Sequence, residues 1–355
     1  MNGNKLMVAG PTEIEKDILL AGAHPMVYNR TPEFSKFINR VEENLKRLFM
    51  TKDDIFILCS SGTGAMEAAV VNLLSENDEI LIVISGTFSH RWYEITNRFN
   101  VKAQPIEIPE GGSINPHLIN EKINSKTKAV FVTANETSLG TTTDVEAIGK
   151  CIKDTKTILV VDAISSLGSD RFETDNWFCD VVISSSQKAL ALPPGLAFIT
   201  ISKKAWYLQE KSNLPKYYFD LKNYKENLVR GQTPFTPPIS LLYQLDLRLK
   251  KILEKGMDLV VEEHREKSLY LQKGLESMGL KVIGNRPSNG VIGVLFPERI
   301  DAFEVVQRLR VEFNIEITPS PGNNKARIAR IGLFGNLNNS DIDDLLTGLR
   351  KIIQT

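Results

Sequence analysis

The chain has only three cysteines, Cys59, Cys151 and Cys179, and they are scattered over its 355 residues. No pair falls at a zinc-site or disulfide-framework spacing, so reduced thiols in the cytoplasm are expected. Histidine is nearly as scarce: His24, His90, His117 and His264 lie far apart, which argues against a local metal motif. Neither sign of charge prevails, with 43 basic and 43 acidic side chains. No global field therefore draws the chain to nucleic acid or to an anionic membrane. No apolar run approaches the roughly 20 residues of a membrane span, and the N-terminus lacks the apolar stretch of a secretion signal. Internal repeats and low-complexity tails are missing as well. What is present is ordinary for a soluble globular protein: 42% apolar and 24% charged residues, in a chain long enough for two domains.

From Asp54 to Ile201, short apolar runs alternate with helical patterns. Ile55 to Cys59, Glu79 to Ile84, Val101 to Ile108, Ala129 to Val132, Ile158 to Val161, Val181 to Ile183 and Leu196 to Ile201 read as strands or extended segments. Helices are predicted over 65–74, 91–99, 116–124 and 145–153. This alternation predicts an α/β fold with a doubly wound, mostly parallel sheet. Upstream, Thr31-Pro32-Glu33 combines a capping hydroxyl, a first-position proline and a first-turn acid. It starts an amphipathic helix through Phe34, Ile38, Val41, Leu45 and Leu48. After Ser202 the pattern changes, and a long helical pattern from Ile239 leads into alternating short strands and helices, a smaller domain starting near residue 245. The expected division is an N-terminal arm (1–22), a large domain (23–245) and a smaller α+β domain (246–355).

The segment around which the chain is organised is Ile158 to Gly195. Asp162 ends one buried apolar run, and Lys188 follows another by a few residues. In an open α/β sheet, ligands bind beyond the carboxyl ends of the strands. An acid and a lysine in that setting suit pyridoxal phosphate. The lysine amine condenses with its aldehyde, and the carboxylate keeps its pyridine nitrogen protonated. A buried structural ion pair is the alternative reading of the same spacing. Ser61-Gly62-Thr63-Gly64, between a strand and a helix, is a candidate phosphate cradle, or else simply a tight turn.

Taken together, RTPEF (30–34), SGTGAMEAAV (61–70), GTFSHRW (86–92), NETSLG (135–140), VDAISSLG (161–168), SSSQKALALPPG (184–195), TPFTPP (233–238) and ARIGLFG (329–335) resemble the class V, fold type I aminotransferases. The likeness is strongest to the alanine/serine–glyoxylate (or pyruvate) branch and runs nearly the whole length. It implies the pyridoxal-phosphate transferase fold with a seven-stranded sheet. It also implies pyridoxal 5'-phosphate attached to Lys188, with Asp162 at the pyridine nitrogen and Phe88 stacked on the ring. Thr137 would meet the phenolic oxygen, and Thr63, Gly64, Ala65 and Gln187 would surround the phosphate. A neighbouring subunit of a homodimer would bring Thr236 and Thr233 to that same phosphate. Arg330 would hold the substrate carboxylate, with Gly10, Tyr28 and Asn29 near the substrate mouth.

The chain departs from the family at two places. Ala65 stands where relatives often carry histidine, and Tyr28-Asn29 where they often carry glycine and histidine. Both bear on substrate preference, not on the reaction. The resemblance implies a ping-pong transamination from alanine or serine to glyoxylate or pyruvate. Aminoethylphosphonate, aspartate and ureidoglycine remain alternative donors. A desulfurase-like reaction would need a cysteine in the C-terminal part, yet all three precede residue 180.

Overall fold

The computed structural model describes residues 4–321 and 326–354. The seven extended runs form one sheet: β1 (Ile55–Cys59), β2 (Glu79–Ile84), β3 (Lys102–Glu107), β4 (Thr127–Thr133), β5 (Ile158–Asp162), β6 (Val181–Ser185) and β7 (Leu196–Ile201). Their order across the sheet is β1-β7-β6-β5-β4-β2-β3. β7 runs antiparallel to both β1 and β6, and the remaining neighbours are parallel.

The parallel register explains the apolar runs. In β5, Leu159 and Val161 point into one hydrophobic cluster, and Ile158 and Val160 into a second cluster on the opposite face. A strand buried on both faces has no polar side to show, so it reads as a continuous apolar run. One face is covered by helices Pro32–Phe49, Val145–Ile152 and Ile239–Lys255, the other by Gly62–Leu73. Thr31 caps the first of these as its sequence predicts, its hydroxyl accepting from Phe34 N at 3.2 Å.

A second sheet, antiparallel, is formed by Lys281–Val282, Val291–Leu295, Ile328–Gly332 and Thr318–Pro319, in that spatial order. Helices Met257–Glu276, Ala302–Glu312 and Asn339–Gln354 enclose a separate apolar cluster with it. The N-terminal segment belongs to this cluster: Lys5–Leu6 pairs with Ile315–Glu316, and Met7 is fully buried there. Residues at opposite ends of the chain are thereby fastened together, and residues 9–12 emerge beside the large sheet.

The structure differs from the sequence reading in several local ways. The helix predicted over 65–74 starts at Gly62, so the glycine-rich turn is its first turn, with Ser61 at the N-cap position but making no side-chain cap bond. The helix predicted from Arg91 starts at Thr87. In both, small residues that resemble loop chemistry lie within the helix because the helix end faces the site. Helices Lys203–Gln209 and Leu221–Leu228 were not expected, since aromatic and lysine residues interleave there without a clear apolar stripe. Among the described residues no helix is long and apolar enough to cross a membrane.

Candidate active site

Because β5 and β6 are parallel neighbours, their carboxyl ends meet at one edge of the sheet. Asp162 ends β5, and the chain leaving β6 turns through Ser186 and Gln187 to Lys188. Both side chains line one cavity of about 110 Å3, together with Thr63, Phe88, Thr137 and Gln187. Six of the predicted site residues thus converge from five separate segments.

The two titratable groups are perturbed in opposite directions. Burial raises the Asp162 carboxyl from 3.8 to about 7, with the nearby Glu136 charge adding to it and the hydrogen bond from Ile164 N opposing it. That bond is 2.8 Å long. Burial lowers the Lys188 ammonium from 10.5 to about 8, helped by the positive charges of Arg330 and Arg91. Desolvation disfavours the charged form of either group, so a buried acid rises and a buried amine falls. Opposed shifts of this kind at the floor of a cleft mark a reaction site more than a structural ion pair.

The N-terminal segment sets the position of the lysine. Lys188 Nζ donates to the carbonyl of Ala9. Gly10 lies against the same side chain at φ 101°, and a methyl group added there would stand 2.8 Å from Lys188 Cδ and 2.9 Å from the Gln187 carbonyl oxygen. Only glycine takes that backbone conformation without strain and leaves the room.

Phe88 lies in the first turn of helix Thr87–Arg98. Glu136, wholly buried, accepts from Phe88 N at 3.1 Å and from Ser89 N at 2.9 Å. A carboxylate at a helix N-terminus satisfies donors that have no partner within the helix and favours the positive end of its dipole. Arg91, one turn further on, lies 5.0 Å over the Phe88 ring and donates to Thr63 Oγ1 at 3.1 Å. Thr137 Oγ1 donates to Ser165 Oγ at 2.7 Å. Arg330 approaches from the antiparallel sheet, donating to the carbonyls of Thr137 at 3.3 Å and Pro319 at 3.1 Å. Its Nε is buried without a partner, and burial lowers its pKa to about 10.

Other predicted residues stand apart. Ala65 is fully buried in its helix, and Gly64 packs on Ser60, where a methyl group would come within 2.7 Å of its side chain. Neither lines the cavity. Tyr28 is 70% exposed, and Asn29 is buried with its amide nitrogen unpartnered. Neighbouring Arg30 donates to Gln232 Oε1 at 3.0 Å and to the Thr233 carbonyl at 2.8 Å. Thr233 and Thr236 line a different, small surface pocket, and Thr233 Oγ1 donates to the Phe235 carbonyl. These four residues do not reach the Lys188 cavity of their own chain. His90 lies half-exposed beside Glu94 on the surface.

Sequence reasoning missed Arg91, Glu136 and Ser165. All three sit inside the motifs GTFSHRW, NETSLG and VDAISSLG, and Arg91 follows Phe88 by three, so those two share a helix face. Among the described residues no three His, Cys, Asp or Glu side chains gather as metal ligands.

Comparison with known proteins accords with this geometry. The family described as Aminotransferase class-V matches residues 16–345. The chain is 32% identical to the serine–glyoxylate aminotransferase of Methylorubrum extorquens, covering 97% of this chain and 90% of that protein. It is also 32% identical to a protein of Synechococcus named soluble hydrogenase, small subunit, over 98% of this chain and 92% of that one. The solved ureidoglycine–glyoxylate aminotransferase of Bacillus subtilis superposes with a TM-score of 0.93 at 28% identity, covering 100% of this chain and 94% of that one. Parallel strands that aim an acid and a lysine into one cleft, on a chain matched almost end to end, place this protein in the class-V aminotransferase family, and it is a transaminase.

Proposed function

We propose that the protein uses pyridoxal 5'-phosphate to move an amino group from a small amino acid, alanine or serine, to glyoxylate or pyruvate in a ping-pong cycle. The observation that carries this reading is the convergence of Asp162 and Lys188 in one cavity, with opposed pKa shifts. The donor set fits the cofactor. Thr63 and the first-turn N–H groups of helix Gly62–Leu73 suit a phosphate, and Gln187 lines the same cavity. Asp162 is costly to ionise alone, and a protonated ring nitrogen would supply its missing counter-charge.

When bound, the cofactor supplies a carbonyl for covalent attachment and a ring that accepts electron density. Lys188 would anchor it, and its freed Nζ would serve as the general base toward the substrate Cα. A pKa near 8 leaves a usable fraction of the amine neutral at neutral pH. Asp162 would hold a proton on the ring nitrogen, Phe88 would lie against the ring, and the Thr137 hydroxyl, which here donates to Ser165, would turn to the phenolic oxygen. Arg330, already oriented by two carbonyls, would meet a substrate carboxylate, for which a planar guanidinium is better shaped than an ammonium.

In this reading the protein is a homodimer in which Thr236 and Thr233 of one subunit reach the phosphate of the other. Their distance from the cavity of their own chain supports that assignment. A panel of alanine, serine, aspartate, ureidoglycine and 2-aminoethylphosphonate against glyoxylate and pyruvate tests the whole proposal. Alanine or serine should turn over fastest, with the visible absorbance of the bound cofactor shifting in each half-reaction. A phosphonate donor that outran both would overturn the substrate assignment.

A further inference from the structure

Two basic side chains stand on the wall of the Lys188 cavity, Lys188 itself and Arg91. Lys188 is committed to the Ala9 carbonyl and, in the proposed function, to covalent attachment. Arg91 has no such duty. Its guanidinium donates once, from Nη1 to Thr63 Oγ1 at 3.1 Å, and makes no other hydrogen bond and no ion pair among the described residues. It also lies 5.0 Å over the Phe88 ring, one helical turn away. A permanently charged group thus faces the cavity with most of its N–H donors free.

The phosphate cradle lacks such a charge of its own. Helix Gly62–Leu73 brings N–H groups and a dipole, but its first turn, Gly62-Thr63-Gly64-Ala65, has no charged side chain. Helix Thr87–Arg98 cannot lend its own first N–H groups. Thr87 N donates to Ser138 Oγ at 3.2 Å, and Phe88 N and Ser89 N donate to Glu136. Asp162, the one carboxylate on the wall, is held near half-protonation at pH 7 by burial and forms no ion pair with Arg91. Accepting from Arg91 leaves the Thr63 hydroxyl hydrogen free, so arginine and threonine present donors side by side. A phosphate, with its charged accepting oxygens, is what such a pair suits.

We propose that Arg91 is a cofactor-binding residue that pairs with the phosphate of pyridoxal 5'-phosphate beside the Thr63 hydroxyl. This rests on the proposed cofactor and adds to it a charge that separates phosphorylated from unphosphorylated pyridoxal. If Arg91 only braced Phe88, its loss would be felt at the ring and not at the phosphate. Equilibrium dialysis of cofactor-free protein against pyridoxal 5'-phosphate and against pyridoxal distinguishes the two roles, with visible absorbance as a check on attachment. Wild-type protein should bind both and favour the phosphorylated form. Arg91→Met should weaken pyridoxal 5'-phosphate about 10^2-fold and leave pyridoxal within about threefold. Arg91→Lys keeps the charge but loses the planar fork, so it should lose only about tenfold, again for the phosphorylated form alone. Circular dichroism of the cofactor-free variants reports folding. If Arg91→Met is unfolded at the assay temperature, Arg91→Lys carries the test. Equal weakening of both compounds, or no change in either, would overturn the role of Arg91 and leave the cofactor itself in place. Wild-type protein that bound neither compound would overturn both.

Discussion

The two sheets contribute unequally to the Lys188 cavity. The seven-stranded sheet and the turns at its carboxyl edge supply Asp162, Lys188, Thr63 and the loop bearing Thr137, all held by strands buried on both faces. The antiparallel sheet brings Arg330 to the Thr137 carbonyl behind the cavity, and the N-terminal segment fastened to it brings Ala9 and Gly10 against Lys188, though none of the three lines the cavity itself. The groups proposed to exchange protons thus stand on the seven-stranded sheet, while the group proposed to hold the substrate stands on the smaller one. A small movement between the layers would change the grip on substrate and leave the acid and lysine in place.

The sharpest challenge to this division is Lys188→Ala. Removing the amine should lower turnover by at least about 10^4, since both attachment and proton transfer depend on it. Single-turnover absorbance with alanine and serine measures this, and a loss under tenfold would break the assignment. Next is Arg330→Gln, where kcat/KM for the amino donor should fall by roughly 10^2 while cofactor affinity stays unchanged. If the cofactor affinity fell in parallel, the smaller layer would be holding more than substrate. Gly10→Ala should cost about tenfold in turnover by displacing the Lys188 side chain, with the alkaline limb of the pH–rate profile moved. An unchanged profile would mean that the N-terminal segment does not position the amine.

The smallest effect is in stability without cofactor. Between about pH 4 and 7, folded Asp162 keeps a proton that the unfolded chain has lost, so stability falls as pH rises through that range. Between about pH 8 and 10.5, the unfolded chain holds a proton on Lys188 that the folded one lacks, so stability rises again. Thermal melts of cofactor-free protein should therefore show a shallow minimum near pH 7 to 8. Asp162→Asn should flatten its acidic side, and cofactor should fill the minimum in. A monotonic profile would contradict the two opposed shifts.

The strands and the pair at their ends were legible because doubly buried strands leave unbroken apolar runs, and a polar residue that closes such a run is conspicuous. Thr63 could be found the same way, between a strand and a glycine-rich helix start. Arg330 was visible only through the family resemblance, since nothing local separates it from other arginines. Arg91 and Glu136 were overlooked although both lie in recognisable motifs. Their importance comes from contacts with Thr63 and with helix N–H groups 28 and 47 or 48 positions away.

By itself, then, the sequence determined the alternation of strands and helices, the parallel sheet, and the acid and lysine at its edge. These follow from local hydrophobic periodicity, which is written in consecutive residues. Only the tertiary structure decided that Gly10 presses on Lys188, that Glu136 secures the helix bearing Phe88, and that Arg330 reaches in from another sheet. Each of those depends on where remote segments meet, and burial at that meeting point shifts the protonation of Asp162 and Lys188.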